Sequence, residues 1–214
     1  KNLAHVLETV GYNNTLIVVS AMGKTTDALE VIIDHYFNDP EQLQAALNDL
    51  FTYHNDILKE LFENENHSAF NQLKSWINDL KLFLKQNKSP NYNFVYDQVV
   101  GYGELISTSI ISAYLNEKNF TNQWVDVRTL LKTDDFYRRA NIDWDVTQQQ
   151  ITATLKKNTL YITQGFLASD KNNFTTTLGR EGSDYTAAIL AYALNATSVT
   201  IWKDVSGVLN ADPR

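Results

Sequence analysis

The chain has 214 residues, 43% of them hydrophobic and 20% charged, enough to bury a sizeable core and too ordinary in composition to be mainly disordered. A formal net charge of −7 with no basic stripe argues against a nucleic-acid partner, and no apolar run approaches the roughly 20 residues of a membrane span. With no cysteine, disulfides, thiolate metal sites and cysteine nucleophiles are excluded together, and with no signal-peptide pattern the cytoplasm is the expected location.

From the start, Lys1 runs straight into an amphipathic helical pattern over 2–10, so residues before it are expected to matter. A turn at Gly11 to Asn14 leads to an aliphatic strand over 15–20, then to a helix over about 26–37. Two long amphipathic segments follow, one opening at Pro40 with Leu43, Leu47, Leu50, Phe51, Ile57, Leu58 and Leu61 on one face, the other carrying Phe70, Leu73, Trp76, Ile77 and Leu80. They read as a helical hairpin, within a helical insertion over about 38–98. An apolar helix over 99–115 bears Gly101, Gly103 and Glu104 at its start. Next come a strand at 122–127, an irregular polar stretch at 132–145, a helix near 147–157 and a strand at 159–166. A polar loop at 167–182, a helix from Ser183 and a final strand at 197–202 complete the pattern. Strands alternating with helices indicate an α/β fold, a mainly parallel sheet with helices on both faces.

In such sheets ligands bind beyond the carboxyl ends of the strands. After the first strand stand the small residues Ser20 to Gly23 and then Thr25, Thr26 and Asp27, which serve equally as ligand groups or as ordinary helix caps. Gly23-Lys24-Thr25 imitates a phosphate-binding loop, but the required upstream glycine is Val18, so Lys24 is not a phosphate lysine. The segment Gly179-Arg180-Glu181-Gly182-Ser183-Asp184 feeds a helix, where free N–H groups favour anions and Arg180 adds a bidentate fork; Ser183 and Asp184 are also capping types. Glu104, in an apolar helix, either pairs with a cation, meets a substrate ammonium, or simply sits beside the helix dipole. Lys203 and Asp204 follow the last strand, where a lysine suits a nucleotide phosphate or is merely solvated. His5, His35, His54 and His67 have no metal-ligand spacing, so no metal site is expected, and the four tryptophans read as packing groups.

The segments VVSAMGKTTDAL, GYGELIST, VDVRTLLKTDD, ITQGF, TTLGREGSDYTAAILAYAL and WKDVSGVLNADPR occur in the order and near the spacing of aspartokinases. The chain resembles that family, of the amino-acid kinase superfamily, along essentially its whole length. The resemblance implies a carbamate-kinase-like fold over 1–214, without its first strand and its C-terminal regulatory part, and ATP-dependent phosphorylation of the L-aspartate side chain to 4-phospho-L-aspartate. That reaction opens lysine, threonine and methionine synthesis. The resemblance further implies that Ser20, Thr26, Glu104, Phe166, Arg180 and Ser183 line the aspartate site, with Glu104 near the ammonium and Arg180 on the α-carboxylate. It implies that Asp184 orders the reacting groups, and that Lys203, Asp204, Leu209 and Arg214 border ATP, which carries Mg²⁺.

This sequence departs from the family at several points. Lys203 stands for a common Thr, Leu209 for a Tyr and Ala168 for a frequent Gly. The family's opening Lys-Phe-Gly-Gly-Thr-Ser, its nucleotide lysine segment and its ACT domains, through which the parent is expected to self-associate, are not among the 214 residues. Little kinase activity is therefore expected of this stretch by itself. The alternatives are another amino-acid kinase, or a module that binds aspartate or nucleotide without transfer.

Overall fold

The computed structural model describes residues 2–202. Three short strands, β1 (Leu16–Val19), β2 (Gln123–Val125) and β3 (Tyr161–Gln164), form a parallel sheet in the order β1-β3-β2. Leu16 pairs with Tyr161 and Val19 with Gln164 on one side of β3, and Gln123 with Tyr161 on the other. Every residue of β3 is buried, as a central parallel strand covered on both faces requires. The two-residue period divides the side chains between those faces. Ile17, Val19 and Ile162 meet Leu7 of α1 (Asn2–Val10) and Leu115 of α6 (Tyr102–Glu117). Val18 and Tyr161 meet Ile151 of α7 (Trp144–Thr154) and Ile189 and Leu190 of α8 (Gly182–Leu194). The expected parallel α/β architecture is thus present.

Beside it lies a helical layer built from α2 (Thr25–Asn38), α3 (Pro40–Leu61), α4 (Ser68–Gln86) and α5 (Tyr92–Val100). Its core is apolar, with Leu29, Ile32, Leu58, Leu80 and Val99 inaccessible to solvent. The periodicity of 40–84 places α3 and α4 against each other as read from the sequence. His54, fully buried, bonds the carbonyl of Leu50 through Nδ1 at 2.9 Å and meets Thr25 Oγ1 through Nε2 at 3.3 Å; burial depresses its pKa. Among the described residues no helix is long and apolar enough to cross a membrane.

Four features differ from the sequence expectation. The helix expected over 99–115 is two helices, because Gly101 ends α5 and precedes α6, and Asn91 caps α5 by accepting the N–H groups of Asn93 and Phe94. The polar loop at 167–182 contains an antiparallel hairpin, β4 (Leu167–Ser169) and β5 (Thr175–Thr177). Its threonines are β-branched and wholly buried, so their polarity hid a strand. Helix α7 begins at Trp144 rather than near 147, since the Asp143 side chain accepts the Val146 N–H and caps it there. The strand expected at 197–202 does not form. No strand among the described residues pairs with it, so Val199, Ile201 and Trp202 stand exposed in irregular backbone.

Gly103 sets how closely α6 approaches the loop after β1. A Cβ there would lie 2.9 Å from the Ala21 Cβ and 3.3 Å from Leu29 Cδ1. Gly103→Ala is expected to force this contact open and lower stability by about 1–3 kcal/mol, despite the better helix propensity of alanine. Urea unfolding checks it, and unchanged or raised stability would contradict the close-packing account.

Candidate functional site: a charged cleft at the strand ends

The chain leaves β1 through Ser20 and turns at Gly23, with φ +52°, into α2. Thr25 Oγ1 donates to the Met22 carbonyl at 2.6 Å and closes this turn, leaving Lys24 exposed outside any phosphate cradle. The start of α6 is fixed against the same loop. Ser107 Oγ donates to the Ser20 carbonyl at 2.8 Å. One turn beyond Glu104, Thr108 Oγ1 donates to the Glu104 carbonyl at 2.8 Å and accepts from Gln164 Nε2 at 2.7 Å and Trp124 Nε1 at 2.9 Å. This satisfied network joins α6 to β2 and β3 and orients the first turn of the helix.

Glu104 is only 4% exposed. Its Oε1 accepts the Ala21 N–H at 3.4 Å, while Oε2 is buried with no partner. Three buried side-chain polar atoms among the described residues lack a partner, and this is the only carboxylate oxygen. Burial outweighs the backbone hydrogen bonds and pushes the carboxyl up to about 7. Of the roles open to Glu104 in the sequence, pairing with a protein cation is therefore not the one realised among the described residues.

Gly165 and Phe166 follow β3 and run directly against the start of α8. A Cβ on Gly165 would lie 2.5 Å from Ser183 Oγ, and one on Gly182 would lie 2.6 Å from the Phe166 ring. Ser20 Oγ donates to Ser183 Oγ at 2.9 Å, linking the tips of β1 and α8. Neither Ser183 nor Asp184 is the cap of α8. That position is Glu181, at φ +56° and with no capping side-chain bond, and the Gly182 N–H donates to the Gly179 carbonyl at 3.1 Å, so the positive end of the helix dipole borders the cleft.

Ser20, Thr26, Glu104, Phe166, Arg180, Ser183 and Asp184, drawn from four separate parts of the sequence, line one cleft of about 400 Å³. Lys203, Asp204, Leu209 and Arg214 lie outside the described residues. Sequence reasoning missed Tyr96, Arg138 and Thr177, which complete the wall. The two consecutive arginines at 138–139 and the threonine run at 175–177 were the available signals. Asp97, fully buried behind that wall, accepts the N–H groups of Arg138 and Thr177 on Oδ2 and the Thr177 hydroxyl on Oδ1, each at 2.9 Å. Burial pushes its carboxyl up to about 6 in spite of these donors. Arg138, Phe166 and Glu181 all hold positive φ, at +69°, +70° and +56°. Left-handed backbone at three non-glycine residues around one cleft is strain of the kind that collects at ligand sites.

The structure is thus an α/β domain with a charged cleft, lined by Glu104, Arg138 and Arg180, at the ends of its parallel strands. The sequence profile of the Amino acid kinase family matches residues 1–214, and the chain belongs to that family. It is 45% identical to lysine-sensitive aspartokinase 3 of Escherichia coli (strain K12) over 122 residues, 55% of this chain and 27% of that relative. It is 30% identical to the chloroplastic bifunctional aspartokinase/homoserine dehydrogenase 2 of Arabidopsis thaliana over 100% of this chain and 24% of that relative. The crystal structure of E. coli aspartokinase III in complex with aspartate and ADP is similar with a TM-score of 0.83 and 30% identity, covering 95% of this chain and 45% of that one. The aligned stretches thus cover about a quarter of the length of these curated relatives and under half of that solved structure.

The titration of Glu104 has a stability consequence. Its carboxyl holds the proton more tightly folded, near 7, than unfolded, near 4.5, so its contribution is complete below pH 4.5 and is lost as pH rises through 7. Glu104→Gln keeps an acceptor for Ala21 and removes the charge. It is expected to exceed the parent in stability at pH 8, by up to about 3 kcal/mol, and to match it at pH 4. Denaturant unfolding at both pH values checks this, and a difference that does not change with pH would contradict burial as the cause.

Proposed function

We propose that the chain is the catalytic domain of an aspartate kinase, transferring the γ-phosphoryl group of ATP to the side-chain carboxylate of L-aspartate. The products are 4-phospho-L-aspartate and ADP. The observation that carries this reading is Glu104, whose Oε2 is buried without a partner, lining the cleft that Arg180 also lines. An amino acid presents an ammonium to one and an α-carboxylate to the other. Ser20, Thr26, Phe166 and Ser183 surround that zwitterion, and the positive end of the α8 dipole favours anionic groups beside it. Asp184 orders the reacting groups, and Lys203, Asp204, Leu209 and Arg214 border the nucleotide.

Phosphoryl transfer asks little covalent chemistry of the protein. An oxygen of the side-chain carboxylate attacks γ-phosphorus in line as the bond to the ADP oxygen breaks, and positive charge offsets the two anions. Mg²⁺ would arrive on the nucleotide phosphates and supply part of that charge; no group of three or more His, Asp or Glu among the described residues is placed to hold it. The reading is supported by the E. coli relative whose structure holds aspartate and ADP. It includes one kinase domain over 1–214 with residues 38–98 as a helical insertion. It also includes a cytoplasmic setting at the entry to lysine, threonine and methionine synthesis, and self-association of the parent.

Because the ammonium pairs only with ionised Glu104, L-aspartate affinity is expected to rise as pH goes from 6 to 8. Glu104→Gln should abolish that dependence and weaken binding at pH 8 at least tenfold, and Arg180→Met should weaken it comparably while keeping the dependence. Isothermal titration calorimetry with L-aspartate measures all three. No binding by the parent chain, or a Glu104→Gln variant indistinguishable from it, would overturn the assignment.

A further inference from the structure

Arg138 is held in place by more than a solvated surface arginine requires. Its backbone adopts φ +69°, comfortable for glycine and strained for arginine. The buried Asp97 carboxylate ties its N–H to β5 through the shared contacts with Thr177. Its guanidinium carbon lies 4.1 Å from the centroid of the Tyr96 ring, a cation–π contact. That ring is itself anchored, since Tyr96 Oη donates to Glu30 Oε1 at 2.9 Å. A Cβ added to Gly179 would lie 3.3 Å from the Arg138 carbonyl oxygen, so the Arg138 turn packs against the residue that precedes Arg180. Both arginines line the cleft.

The charges then match a particular ligand. The cleft offers two guanidinium groups and one buried carboxylate oxygen without a partner. Glu181 and Asp184 also line it, and neither residue is without a partner. An acidic amino acid carries two carboxylates, one for each arginine, and one ammonium for Glu104. Resting on the function proposed above, we infer that Arg138 is a second substrate-binding arginine, which takes the side-chain carboxylate of the acceptor while Arg180 takes the α-carboxylate. It thereby selects an acidic amino acid over its neutral analogue. A cation at that carboxylate also lessens its repulsion from the incoming phosphoryl group.

The φ value supplies a clean variant. Arg138→Gly removes the guanidinium and leaves a residue suited to the backbone, so its thermal midpoint should be no lower than the parent's. Binding of L-aspartate and of L-asparagine is followed by NMR titration on the parent chain, Arg138→Gly and Arg138→Lys. The expected result is an L-aspartate Kd raised about tenfold or more in Arg138→Gly and an L-asparagine Kd changed less than about twofold, with partial recovery in Arg138→Lys. An unchanged L-aspartate Kd would overturn the inference, as would equal weakening of both ligands, the mark of a purely structural role. Should Arg138→Gly not fold, Arg138→Met gives the same comparison on the original backbone. A parent chain that does not bind L-aspartate sinks the proposed function itself, whereas a binding parent with an unaffected Arg138→Gly sinks only the role of Arg138.

Discussion

A carboxylate oxygen buried without a partner is costly, and Glu104 Oε2 is such an atom. The elements around it hold Glu104 4% exposed and leave this oxygen without a partner among the described residues. Gly103 lets α6 sit on the Ala21 loop, Ser107 pins the helix to the end of β1, and Thr108 ties it to β2 and β3. The position in the first turn of α6 favours an acid through the helix dipole, yet burial still raises the carboxyl to about 7. Desolvation therefore dominates. Backbone hydrogen bonds favour the charged form, but not enough to offset its burial.

The remainder of the cleft is organised around the opposite charge. Arg180 projects from a left-handed turn, flanked by Gly179 at φ +78° and Glu181 at φ +56°. Arg138 leaves a second such turn stapled by Asp97. Each left-handed non-glycine residue costs on the order of 1–3 kcal/mol, and the sheet, α5 and α8 supply the packing that sustains it. A small zwitterion bridging Glu104 and the arginines would offset the cost of the buried Glu104 carboxylate rather than this backbone strain. The same geometry leads to an expected pH dependence of stability without ligand and of binding with it.

Much of the cleft was legible in the sequence, because its groups sit where chain punctuation and chemistry coincide. Glycines before Glu104 and around Arg180 marked close backbone approach, and the alternation of strands and helices fixed where the loops converge. Arg138 was lost in a stretch without periodicity, where only three dimensions reveal that Asp97, from a distant helix, holds the turn. The β4–β5 hairpin was lost because buried threonines read as loop residues until their partners are known. Conversely, the apolar 197–202 segment has strand-forming residues but no neighbouring ladder among the described residues, and propensity alone does not make a strand.

The central claim is that Glu104 awaits the cation of a ligand. Following its side-chain carboxyl carbon by NMR through a pH titration, in the absence and presence of saturating L-aspartate, tests that claim most directly. The account predicts a midpoint near 7 in the free protein that falls below 5 when the amino acid is bound. A midpoint that stays near 7 with ligand bound, or one already at the ordinary glutamate value without it, would contradict it.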